Sequence, residues 1–217
     1  MTVYCLSRLI ILSACVVALA AQVPSAAHGK GGNKGTLPGH AGNRVSVSPV
    51  YVFHPLQEGP LVDGAGSQLV RAKDGVFMTF HSQGLVPGTV ATAWWVFFND
   101  PKECATDPCR VADLLTNPAS QPSLLYAAGR VVGLDGALDL GSFRAAGDTT
   151  GGESFPPFPA TNPGLLDPKR AEVHIVIRTH GPALLADPAA LASQLSTFNG
   201  GCPPNTCANV QYSIHQP

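Results

Sequence analysis

From Val45 to the C-terminus, the apolar stretches of this chain are short and are cut every few residues by Gly, Pro, Asp or Asn. Runs rich in Val, Tyr, Phe and Ile between such breakers are a strand-and-turn pattern. Glycine and proline together make up 43 of 217 residues, and charged residues only 12%, which agrees with a turn-rich, charge-poor β domain. Strands are predicted near 45–54, 75–83, 90–98, 124–132, 137–145, 171–179 and 208–215, with a further short one near 68–72. Leu85-Val86-Pro87-Gly88 and Gly133-Leu134-Asp135-Gly136 read as hairpin turns joining the second strand to the third and the fourth to the fifth. The expected fold is therefore all-β: a two-sheet antiparallel β-sandwich of about 7–8 strands with two short helices. One helix follows Asp187-Pro188, presents Leu191, Leu195 and Phe198 and ends at Asn199-Gly200. The other follows Asp107-Pro108 through Val111 and Leu114-Leu115 to Asn117-Pro118.

The N-terminus has a different texture. Arg8 precedes an apolar run from Leu9 to Ala21, and Val23-Pro24-Ser25-Ala26-Ala27 closes it with small residues, the order of a secretory signal peptide. The run is about 13 residues, whereas a spanning helix needs about 20, so no membrane insertion is expected after cleavage. Leu12-Ser13-Ala14-Cys15 also fits a lipidation pattern, but the chain stays apolar after the cysteine. The expected organisation is a signal peptide over 1–27, a flexible Gly/Lys-rich tail over 28–43, and a single β-sandwich domain over 44–217. Such a chain is expected to be secreted or periplasmic. Beyond residue 27 it is nearly neutral and has no run of like charge, which argues against nucleic acid as a partner.

Four cysteines remain after the leader, in two matching C-x4-C loops, Cys104 with Cys109 and Cys202 with Cys207. In an exported chain they read as disulfides. Four cysteines allow three connectivities; two local bridges are favoured because each loop encloses turn-forming residues that bring its ends together. A four-thiolate zinc site is the competing reading.

Candidate chemistry lies on strand faces. Glu172, His174, Arg178 and His180 share one face of a strand whose other face carries Val173, Ile175 and Ile177. His81 sits opposite Met78 and Phe80, and His215 shares a face with Gln211 and Ser213. If those strands are neighbours, His81, His174, His180 and His215 could form a copper or zinc site. The alternative is that half-exposed strands simply carry polar residues. Trp94 and Trp95 must face opposite ways, so one of them could be exposed as a ligand-binding, sugar-stacking platform, while core packing is the commoner use of strand aromatics. The long Gly/Pro/Thr loop over 147–168, with Phe155 and Phe158, is a further place for function. No nucleophile elbow, HExxH helix or phosphate loop is present.

Gly84-Leu-Val-Pro-Gly-Thr-Val-Ala-Thr-Ala-Trp94-Trp-Val-Phe-Phe-Asn99, Ala171-Glu-Val-His174 and Asn209-Val-Gln-Tyr-Ser-Ile-His215 together resemble secreted bacterial β-sandwich proteins of uncharacterised activity. The strand-turn texture is similar to chordin-type domains and, more distantly, to copper/zinc superoxide dismutase sandwiches. The resemblance implies a fold rather than an activity, because Trp94-Trp95 stand where the dismutase strand carries histidines. The sequence thus points to a secreted binding or structural module without catalysis, with a copper- or zinc-binding protein as the alternative and the cofactor open.

Overall fold

The computed structural model describes residues 43–217 apart from 155, 159 and 160. The signal peptide, nearly all of the tail and Phe155 lie outside the described residues. Eight strands follow one another as β1 (Arg44–Val52), β2 (Leu61–Arg71), β3 (Gly75–Ser82), β4 (Thr89–Phe98), β5 (Pro122–Val131), β6 (Leu138–Ala145), β7 (Glu172–Pro182) and β8 (Ala208–His215), with α1 (Val111–Thr116) between β4 and β5 and α2 (Pro188–Ser196) between β7 and β8. Each predicted strand is present, and the short one near 68–72 is the end of a longer strand, β2.

All pairings are antiparallel, and the order is β5-β4-β7-β8-β1-β2-β3-β6. The expected division into two separate sheets is not what the hydrogen bonds form. They run through all eight strands, because β1 pairs with β8 at Tyr51↔Tyr212 and Val52↔Gln211. The seam is short; the Phe53 N–H to Val210 O bond (2.8 Å) extends it, and Ser48 Oγ accepts the Ile214 N–H (3.2 Å). At the far ends of the sheet β5 and β6 meet through side chains. Ser142 Oγ donates to Ala127 O (2.9 Å), Arg144 Nη2 to Tyr126 O (2.6 Å) and Arg130 Nη1 to Asp139 O (3.1 Å). The sheet therefore curls almost into a barrel, closed on one side by a ladder and on the other by side chains.

Inside it, Trp95 and Phe97 of β4, Val173, Ile175 and Ile177 of β7 and Leu125 of β5 face Leu69 of β2, Val76, Met78 and Phe80 of β3 and Leu138 and Leu140 of β6. Period-2 alternation supplies this face, since the intervening residues of each strand point outward.

Both turn-based pairings are corrected. β3 pairs with β2 and β6, and β4 with β5 and β7, so Pro87-Gly88 does not join a hairpin. Neither does Asp135-Gly136, because β5 and β6 share no ladder. Each turn instead carries the chain across the core from one half of the sheet to the other, and the two lie side by side, with Leu85 N–H donating to Gly136 O (3.1 Å) and Gly88 N–H to Val132 O (3.1 Å).

Asp187 caps α2 as expected, its Oδ1 accepting the N–H groups of Ala189 and Ala190 at 3.0 Å each. α1 begins later than Asp107-Pro108 suggests, because Asp113 organises its start. The Asp113 carboxylate accepts N–H groups from Arg110 (2.9 Å) and Ala105 (2.8 Å) and an amide N–H from Asn117 (3.1 Å). Burial alone would raise the pKa of this carboxyl, but those donors outweigh it and hold the group below its ordinary range. Among the described residues no helix is long and apolar enough to cross a membrane.

Candidate functional site

The outer face of β4, β7 and β8 is apolar where an exposed sheet face would be polar. Trp94, Val96 and Phe98 of β4 lie beside Val176 and His174 of β7, and those beside Tyr212 and Ile214 of β8, in the register Trp94↔Val176↔Tyr212 and Val96↔His174↔Ile214. The excursions between strands cover this floor. Val111, Leu114 and Leu115 come from α1, Phe158 from the 147–168 loop, Phe198 from the turn after α2, which ends at Ser196 and so stops short of the expected Asn199-Gly200, and Phe53, His54 and Pro55 from the segment after β1. They enclose a pocket of about 440 Å³, within the range of small-molecule sites.

Edge-to-face aromatic contacts fix the wall. Trp94 meets Tyr126 at 5.7 Å and Phe198 at 5.0 Å, and Phe198 meets Phe158 at 5.0 Å. The Trp94 indole N–H donates to Thr92 Oγ1 (2.7 Å). Tyr212, which lies between Tyr51 and Phe53, has a buried hydroxyl without a partner among the described residues.

Two polar groups flank the apolar floor from positions four apart on β7, roughly 13 Å of strand. At one end His174 Nε2 donates to Glu172 Oε1 (2.6 Å), which also accepts the Cys109 N–H (2.9 Å). Glu172 is sealed away from solvent, while the imidazole reaches the pocket. At the other end the Arg178 guanidinium lies 4.0 Å from the centre of the Phe198 ring. It donates Nε–H to Phe198 O (2.7 Å), Nη1–H to Asn209 Oδ1 (3.0 Å) and Nη2–H to Asn199 Oδ1 (3.2 Å). Burial lowers its pKa from the ordinary arginine value.

The cysteines form the two local bridges, with Cα separations of 5.4 Å for Cys104–Cys109 and 5.9 Å for Cys202–Cys207. That disposes of the four-thiolate zinc reading. Cys109 lines the pocket, so the first bridge supports its wall.

The four histidines proposed as metal ligands do not converge. His81 is half-exposed on β3, bonded to Asp139 (2.6 Å) and Gln83 (3.0 Å). His174 is in the pocket, and His215 faces the opposite side of the sheet. His180 lies under the 200–207 loop. Among the described residues the one group close enough to share an ion is His180, Cys202 and Cys207, and there the two sulfurs are bonded to each other. His180 is also committed: Nδ1–H donates to Gly200 O (3.0 Å), so Nε2 accepts from Thr92 Oγ1 (2.8 Å). Burial is the main cause lowering its pKa, with a smaller contribution from Arg178.

His215 was expected on an outward polar face. Instead Gln211, Ser213 and His215 point inward at the seam and are matched by serines: Ser46 Oγ to His215 Nδ1 (2.9 Å), Ser67 Oγ to His215 Nε2 (2.7 Å) and to Ser213 Oγ (2.8 Å), and Ser82 Oγ to Gln211. Burial, reinforced by Arg71 and His174, pushes the His215 pKa down to about 4.

Neither tryptophan is an exposed platform. Trp95 lies in the core, stacked 5.6 Å from Phe97, and Trp94 is walled in by Tyr126 and Phe198. Of the ligand candidates Trp94 alone borders the pocket. Alternation puts Arg178 on this face, but strand spacing does not reveal the two asparagines and the phenylalanine that hold it. No family model matches this chain, and no curated protein or solved structure is significantly similar to it.

Proposed function

We propose that this protein is an extracytoplasmic binding module for a small hydrophobic molecule, held on the outer face of β4, β7 and β8. The observation that carries this reading is the apolar pocket of about 440 Å³, roofed by α1, Phe158 and Phe198 over Trp94, Val96 and Val176. An apolar cavity with a few polar groups at its ends is the usual form of a small-molecule site. Two disulfides and the leader-like N-terminus favour an oxidising destination.

Titration of protein produced from the full chain with the uncharged dye Nile red tests the reading. A saturable rise in dye emission at one dye per chain, with a change in Trp94 fluorescence, is expected. Val176→Phe, which projects a larger side chain from the floor, should weaken binding while leaving the melting midpoint near that of the parent. Absence of saturable binding, or binding indifferent to Val176→Phe, would count against the pocket.

A further inference from the structure

Arg178 sits at the rim of this apolar pocket and, among the described residues, has no carboxylate in an ion pair with it. The ion pairs among the described residues are His81–Asp139, Arg144–Asp148 and His174–Glu172, and none involves Arg178. Glu153, on the 147–168 loop, forms no ion pair with Arg178 among the described residues. The three acceptors that hold the guanidinium, Phe198 O, Asn209 Oδ1 and Asn199 Oδ1, are all neutral. They leave two of its five N–H groups uncommitted.

The same bonds orient the two carboxamides. Because each Oδ1 is turned to the guanidinium, each Nδ2 remains as a donor, and neither makes a hydrogen bond to the described residues. This end of the pocket is therefore rich in donors and carries an unopposed positive charge. Stacking on Phe198 and three fixed hydrogen bonds preorganise that charge, so little side-chain entropy is lost when an anion arrives.

We propose that the pocket takes an amphiphilic carboxylate, its head group on Arg178 between Asn199 and Asn209 and its hydrocarbon body over Trp94 and Val176. This assignment rests on the reading of the pocket as a small-molecule site and adds the chemistry of the ligand. A planar carboxylate matches the fork of a guanidinium, while an alcohol or ester of equal length fills the same apolar volume without the charge.

Isothermal titration of the full-chain protein with decanoate, methyl decanoate and decanol separates the two ideas. Decanoate should bind about 10- to 100-fold more tightly than its ester, the gain of charge-assisted hydrogen bonds in a partly desolvated site. Arg178→Met, which keeps the packing of the stem on Phe198, should abolish that preference while ester binding persists. Asn209→Asp, which places a carboxylate beside the guanidinium, should remove it as well, and this second variant keeps the test informative if Arg178→Met fails to fold. Equal affinity of acid and ester in the parent protein, or a preference that survives in both variants, would overturn the carboxylate assignment while leaving the pocket intact. Failure of all three ligands and of Nile red would instead overturn the pocket, and the assignment with it.

Discussion

Arg71 is almost wholly buried and, among the described residues, forms no ion pair with an acid. Its Nη1 donates to Pro168 O and Ala171 O, both at 2.8 Å, and its Nη2 to His215 O (2.8 Å) and Gln216 O (3.1 Å). Burial pushes its pKa down to about 10, with Arg44 adding to the shift and Glu172 opposing it. One side chain thus ties the turn before β7 and the end of β8 to β2. Arg71→Met should cost about 3 kcal/mol or more, because it leaves several carbonyls without donors, and urea denaturation would measure the loss.

His215 gives a second prediction at this scale. Its folded pKa of about 4 lies below the ordinary 6.5, so between those values the unfolded chain binds more protons and stability falls as the pH falls. The stability is fully present above about pH 6.5, and about 3 kcal/mol of it is lost on acidification to pH 4. His215→Gln, which retains hydrogen bonding at the site but does not titrate there, should flatten the pH dependence of the urea midpoint across that interval. An unchanged slope would show that other groups dominate. The alternation in β8 was legible in its sequence, but its sense was not. Tyr212 and Ile214 face outward because a pocket lies there, and Gln211, Ser213 and His215 face inward because Ser46, Ser67 and Ser82 answer them from strands more than a hundred residues away.

Among the elements, strand positions could be read because β-branched and aromatic runs ended at Gly and Pro. Partners could not, because Pro87-Gly88 and Asp135-Gly136 dictate a reversal of the chain but not whether it returns along its neighbour or across the core. The joint between β5 and α2 shows the same limit. An added Cβ at Gly129 would collide with Leu195 O, to which Tyr126 Oη also donates at 2.7 Å. Gly129→Ala should push the end of α2 off the sheet, destabilise the fold by about 1–3 kcal/mol and disturb Phe198, which Trp94 emission would register. Loss of the cap in Asp187→Ala should cost about 1 kcal/mol. A pocket roofed by α1, the turn after α2 and a loop was not visible in advance, since each covering segment lies a dozen or more residues from the floor it covers and carries no motif.

For the molecule as a whole, neither disulfide crosses the eight-stranded ladder. Each closes a short loop, so each should contribute only about 2 kcal/mol through restriction of the unfolded chain. Reduction should therefore leave the β-sheet circular dichroism in place while Nile red affinity falls, since Cys104–Cys109 braces α1 and the Cys109 N–H bonds Glu172. Simultaneous loss of both signals would mean that the covering segments and the barrel unfold as one unit.

The seam between β1 and β8 has a consequence in time. The first strand of the sheet is completed by the last, and Arg71 reaches the backbone of residues 215 and 216. Synthesis from the N-terminus delivers seven strands before the one that joins the two halves, so the curled sheet cannot close until His215 has emerged. Long-range closure of this kind is slow, and the curled sheet stays open for as long as its eighth strand is missing.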